Sequence, residues 1–144
     1  MAKHDRTGRS KSEGRFAALP LSIAETPAWR DLSGVAAKAF IDIVLRYDGC
    51  NNGKIVVPTR DLAKRIGISH ATAARAILEL ENAGFVRLMK ASSYSMKRTA
   101  AEYRLTHRRN DVTGEAPTNE FKRPRVVDNV VALPQKKDAG AAGS

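Results

Sequence analysis

The stretch from Pro58 to Gly84 constrains this chain more than any other, because two short helical segments are punctuated by residues that leave little choice of geometry. Pro58 stops a short extended run, Lys54-Ile55-Val56-Val57, and Thr59 is placed to cap a helix over residues 60–66. Gly67 ends that helix, Ser69 caps the next, which runs to Ala83, and Gly84 stands where a left-handed residue closes a helix. Leu62, Ala63 and Ile66 then face Ile68, Ala73, Ala76, Ile77 and Leu80. Ala63 is small where the two helices approach, and Gly67 frees the backbone at a sharp turn. The helical period leaves Ser69, His70, Ala71, Thr72, Ala74, Arg75 and Leu78 or Glu79 outside the packing stripe. The first turns of this outer face are short, polar and positive. Such a face suits a major groove, where hydroxyl, imidazole and guanidinium groups meet base edges and acidic side chains would be repelled.

The surrounding chain supplies the rest of one small domain. Ser33 caps a helix through about Tyr47, in which Lys38, Asp42 and Arg46 form a polar stripe at four-residue spacing and apolar residues cover most of the remainder. A helix so broadly apolar is either central to the domain or shared with a second copy, so the sequence permits a homodimer. Ser22 and Glu25 have the spacing of a capping box, but Pro27 interrupts, which leaves at most one turn before Trp29, read as a packing anchor. Residues 48–53 carry turn chemistry. Phe85 to Leu88 and Glu102 to Leu105 alternate as two strands joined by a basic, Ser-rich segment. The order is helix, strand, helix, turn, helix, hairpin: a mainly α chain with a small β-hairpin, of the α+β class.

On these residues the sequence resembles a family. The run DLAKRIGISHATAARAILELENAGFVRLMK, residues 61–90, is similar to the winged helix-turn-helix of bacterial regulators of the GntR and MarR groups, and of some plasmid and phage replication initiators. Its markers are Leu62-Ala63, Ile66-Gly67-Ile68-Ser69, Ala76-Ile77, Leu80-Glu81 and Ala83-Gly84-Phe85-Val86, followed by a basic hairpin, and the likeness spans about residues 35–105. In those families the third helix reads the major groove and the hairpin wing touches phosphate or the minor groove. Carried over, this implies that Ser69, His70, Thr72 and Arg75 meet bases, that Lys90, Lys97 and Arg98 meet the backbone, and that Thr59 and Arg60 at the preceding helix start join them. Ala74 departs from the GntR-like pattern, which often has a base-reading arginine there, so specificity is either weaker or supplied by Arg75 and the arms. Competing structural roles exist: His70 extends a cap, Arg75 pairs with Glu79 four residues on, Lys64 and Arg65 form a solvated face, and Ser92, Ser93 and Tyr94 are as readily ordinary wing-turn residues as contacts.

Charge agrees with a polyanionic partner. The 144 residues hold 25 Lys plus Arg against 15 Asp plus Glu, a net +10. That surplus divides as +3 over residues 1–15, +4 over 16–103 and +3 over 104–144, so both ends are enriched per residue. The expected organisation is a flexible basic arm over 1–18, a winged helix-turn-helix over 19–105 and a basic, largely irregular tail over 106–144. Arg9, Arg15, Arg108 and Arg109 are the arm residues best placed to meet DNA. One cysteine and three scattered histidines give no metal spacing, and there is no phosphate loop or nucleophile constellation, so neither cofactor nor catalysis is expected. No apolar run is long enough to span a bilayer or to form a secretory signal, which predicts a cytoplasmic, nucleoid-associated protein. Double-stranded DNA is the expected partner, with no membrane and no evident small-molecule effector. The expected role is transcriptional repression by operator occupancy. The alternatives are a replication or recombination accessory factor of a mobile element and, from another class, an RNA-binding or protein-interaction module.

Overall fold

The computed structural model describes residues 15–94 and 98–123. These residues form five helices, α1 (Leu21–Ala24), α2 (Pro27–Arg30), α3 (Gly34–Leu45), α4 (Thr59–Ile66) and α5 (His70–Ala83), with strands β1 (Ile55–Val56), β2 (Val86–Lys90) and β3 (Glu102–Leu105) and a 3₁₀ turn at Glu120–Lys122. The strands form one antiparallel sheet in the order β1-β3-β2, with Ile55 opposite Tyr103 and Val86 opposite Leu105. The short extended run before Pro58 is therefore the third strand beside the expected hairpin.

Local signals account for most helix ends. The hydroxyls of Ser33 and Ser69 accept from the amides of Ala36 and Thr72, both at 3.1 Å. Gly67 and Gly84 close α4 and α5 at φ +75° and +88°, which only glycine adopts without strain. Two expectations shift. Thr59 is the first residue of α4 and does not cap it; Pro58 occupies the cap position and offers no side-chain acceptor. Thr26, and not Ser22, is the capping residue near the N-terminus, accepting from Trp29 N at 3.2 Å, and Pro27 begins α2 where it was expected only to interrupt a turn. Proline is tolerated there because the amide it lacks would have had no partner in a first turn.

The core lies where α3, α4 and α5 meet the inner face of the sheet. Ala39, Phe40, Ile43, Leu62, Ala73, Leu80, Ile55 and Leu105 are all inaccessible to solvent. Trp29, Phe40 and Phe85 meet edge to face with centroids 5.6 to 5.9 Å apart, a geometry that adds to the burial of their area.

The polar stripe of α3 is engaged with α4. Asp42 is buried and accepts from Arg46 Nε at 2.9 Å and Arg65 Nε at 2.6 Å, and Arg46 also reaches Asp61 at 2.6 Å. Lys38 Nζ donates to the Ile66 carbonyl at the end of α4, 3.3 Å away. Arg65, Asp42, Arg46 and Asp61 thus form a chain of alternating sign that, with Lys38, stitches α3 to α4. Arg65 is committed to this seam, contrary to the reading of it as a solvated cation.

The outer face of the sheet is covered by residues 106–123, so packing continues past the boundary expected at residue 105. Arg87 and Arg104 stand directly opposite each other on β2 and β3, an arrangement of like charges that disfavours pairing. The covering segment brings Glu120 to Arg87 at 2.6 Å and Glu115 to Arg104 at 2.5 Å. Arg104 is wholly buried and also donates to the carbonyls of Arg108 and Ala116. Phe121 stacks on Phe85 at 5.0 Å, and the turn carrying it crosses Gly84 so closely that a Cβ there would lie 2.8 Å from its backbone. The buried amide of Asn52 ties the segment down: its Oδ1 accepts from Leu105 N at 2.6 Å, and its Nδ2 donates to the carbonyls of Leu105 and Arg109 at 3.0 and 2.8 Å.

Candidate nucleic-acid interface

The bulge between Leu88 and Lys90 bends β2 as it leaves the sheet, and Ser93 and Thr99 pair again beyond it through two 2.9 Å backbone bonds. This extended hairpin leans toward the starts of α4 and α5. Between them lies a cleft of about 350 Å³ lined by Thr59, Arg60, His70, Tyr94, Arg98 and Tyr103 among others, with no carboxylate in its described lining. Arg98 stacks over the exposed Tyr94 ring, 5.4 Å from its centroid, so the aromatic face orients the cation. Burial and then the charge of Glu81 push the Tyr103 phenol up to about 12, and it stays neutral on the cleft wall.

The first turns of α5 present the second part of the surface. His70, Ala71, Ala74 and Arg75 are exposed. Two residues expected to meet bases are partly engaged within the helix: Ser69 Oγ, besides capping, donates to Thr72 Oγ1 at 2.8 Å, and Thr72 is half-buried. Arg75 Nη2 lies 3.5 Å from Thr72 Oγ1. The competing pairing of Arg75 with Glu79 is not formed, because Glu79 accepts instead from Ser33 N and Ser33 Oγ, each at 2.7 Å.

The expected contact residues therefore divide by place. Thr59, Arg60, His70 and Arg98 line one cleft, and Ser69, Thr72 and Arg75 continue from it along α5. Lys90 is exposed at the end of β2. Arg9 and Lys97 lie outside the described residues. Arg108 and Arg109 follow the Leu105 end of β3, away from the wing; Arg108 covers the Tyr47 ring at 4.9 Å, and Arg109 Nε donates to Gly114 O at 3.4 Å. Arg15 donates to the Leu45 and Tyr47 carbonyls at the end of α3. None of these three lines the cleft. Sequence reasoning left Tyr94 undecided, and the four-residue spacing of Tyr94 and Arg98 across the wing was the available signal.

Among the described residues no helix is long and apolar enough to cross a membrane, and no cluster of metal-ligating side chains occurs. Comparison with curated proteins and with solved structures finds no match for the chain. Residues 57–87, from the end of β1 through α4 and α5 into β2, match the family described as winged helix-turn-helix DNA-binding. Helix placement, left-handed turn, three-stranded sheet and wing agree with that match, and the described residues fold as a winged helix-turn-helix whose segment 57–87 is similar to that DNA-binding family.

Proposed function

We propose that this protein binds double-stranded DNA sequence-specifically and acts as a transcriptional regulator, repressing by occupancy of an operator. The observation that carries the reading is the carboxylate-free cleft in which Arg60, His70 and Arg98 converge beside the exposed start of α5. A duplex seated there places α5 in the major groove, with Arg75 at a base edge and His70 beside it, while Arg60, Lys90 and Arg98 neutralise phosphates. Ser69 and Thr72 contribute chiefly by fixing the first turn of α5. No step of chemistry is required, and occupancy alone blocks competing proteins from the same DNA.

Selection of bound duplexes from a random-sequence pool by the full chain, followed by footprinting, tests this. One recurring motif, protected over a site that random duplex does not compete for, is the expected result. Two protected half-sites one helical turn apart would mark a dimer. Enrichment of no motif, or equal competition by structured RNA, would overturn the proposal.

A further inference from the structure

Arg75 and Glu79 stand four residues apart on α5, cation before anion, and with Ser33, Val35, Thr72 and Ala76 they line one small cavity of about 250 Å³. That order along a helix gives the weaker form of such a pair. Ser33 offers the carboxylate more: its backbone amide and its hydroxyl each donate at 2.7 Å, and it caps α3, where the helix end favours a negative charge. Glu79 takes Ser33, and Arg75 forms no ion pair among the described residues.

We propose that Ser33 is a positioning residue for DNA recognition: by holding the Glu79 carboxylate on the end of α3, it keeps Glu79 from neutralising Arg75 and leaves that guanidinium available to a base. The proposal rests on the reading of Arg75 as a base contact. A Glu79 carboxylate released from Ser33 has the Arg75 guanidinium as the cation lining the same cavity. Pairing there would occupy the donors that recognise a base and place a negative charge on the face that meets DNA. The bond between α3 and α5 thus sets the charge state of the reading surface as well as the helix packing.

The test compares full-length wild type, Ser33→Ala, Glu79→Gln and the double variant, measuring for each the ratio of affinities for a selected duplex and a random one, together with the thermal midpoint. Ser33→Ala removes the hydroxyl donor and the α3 cap, so the midpoint falls and the affinity ratio drops roughly five-fold or more, the lower end of what one arginine–base contact is worth. Glu79→Gln alone keeps the ratio. Added to Ser33→Ala it restores the ratio but not the midpoint, because the neutral amide cannot neutralise Arg75 while the cap stays lost. An unchanged ratio in Ser33→Ala, or a double variant whose ratio stays low, overturns the proposal. If wild type itself does not discriminate between the duplexes, or Arg75→Ala leaves the ratio unchanged, the underlying reading of the DNA contact fails instead.

Discussion

Two sets of arginines in this small domain live under opposite rules. Arg46 and Arg65 on the α3–α4 seam, and Arg87 and Arg104 on the outer face of the sheet, each hold a carboxylate at 2.9 Å or closer. Arg60, Arg75 and Arg98, around the cleft and along the start of α5, form no ion pair among the described residues. The difference lies in where the acids go. Asp42, Asp61, Glu115 and Glu120 are spent on arginines that hold elements together, and Glu79 is turned toward Ser33. Cations that join elements are thereby neutralised by carboxylates, and Arg60, Arg75 and Arg98 keep their charge around the cleft and the start of α5. The net +10 of the chain is less informative than this sorting, since a polyanion meets local surfaces and not a total.

Disrupting the paired set should produce the largest effect. Arg104→Ala removes a wholly buried guanidinium together with its bonds to Glu115 and two carbonyls, and should cost about 2–4 kcal/mol in urea unfolding. Below the shifted midpoint its affinity for DNA should match wild type; a selective loss of binding would blur the division between the sets. Acid should act on the same region. His107 packs beside Phe40, neither ring nitrogen has a hydrogen-bond partner, and burial, then the nearby Arg108 charge, lowers its pKa from 6.5 to about 4. Above the ordinary value the ring is neutral folded or unfolded. As pH falls from 6.5 toward 4 the unfolded chain takes up a proton that the folded one refuses, so up to about 3 kcal/mol of stability is lost across that window. His107→Leu should flatten that part of the pH–stability curve, and an unaltered slope would move the acid sensitivity elsewhere.

The unpaired set should respond in binding alone. Arg75→Ala is expected to reduce discrimination between selected and random duplexes by about 1–3 kcal/mol with the thermal midpoint unchanged. An equal loss on both duplexes would make it a phosphate contact. Smallest are Arg60→Ala and Arg98→Ala, each expected to weaken binding nearly uniformly and to lower the salt dependence by about one counterion. A salt slope identical to wild type in Arg98→Ala would take the wing out of the interface.

What could be read directly from the sequence was local. Ser33, Ser69, Gly67 and Gly84 each announce a helix end within four residues of themselves, and all four do so here. The exposed face of α5 followed from its period. The α3 stripe was legible as a stripe but not its partner, because Lys38, Asp42 and Arg46 have the same spacing whether they face water or another helix; Arg65, which decides for Asp42, is 23 residues away. The burial of Arg104 was not legible for a similar reason: Glu102 to Leu105 alternates as a strand with one face wet does, yet residues without any periodic pattern cover Arg104. The cleft itself was invisible, since it exists only once the wing leans on the start of α4. Thr26 and Pro58 were missed by short offsets, because neighbouring hydroxyls and prolines compete for the same role.

The crossing of the final turn over Gly84 also bears on the order of assembly. The helices and the aromatic cluster of Trp29, Phe40 and Phe85 can associate from residues no later than Phe85, but the guanidinium of Arg104 and the second face of the Phe85 ring wait for Glu115 and Phe121. A chain emerging from the N-terminus at roughly 5–20 residues per second passes through a stage with its reading helix already capped and its sheet still open on one side. Contacts that join Asn52 to Arg109 across 57 positions close a long loop at an entropic cost, and a fragment cut at residue 105 would lack every group that covers the open side.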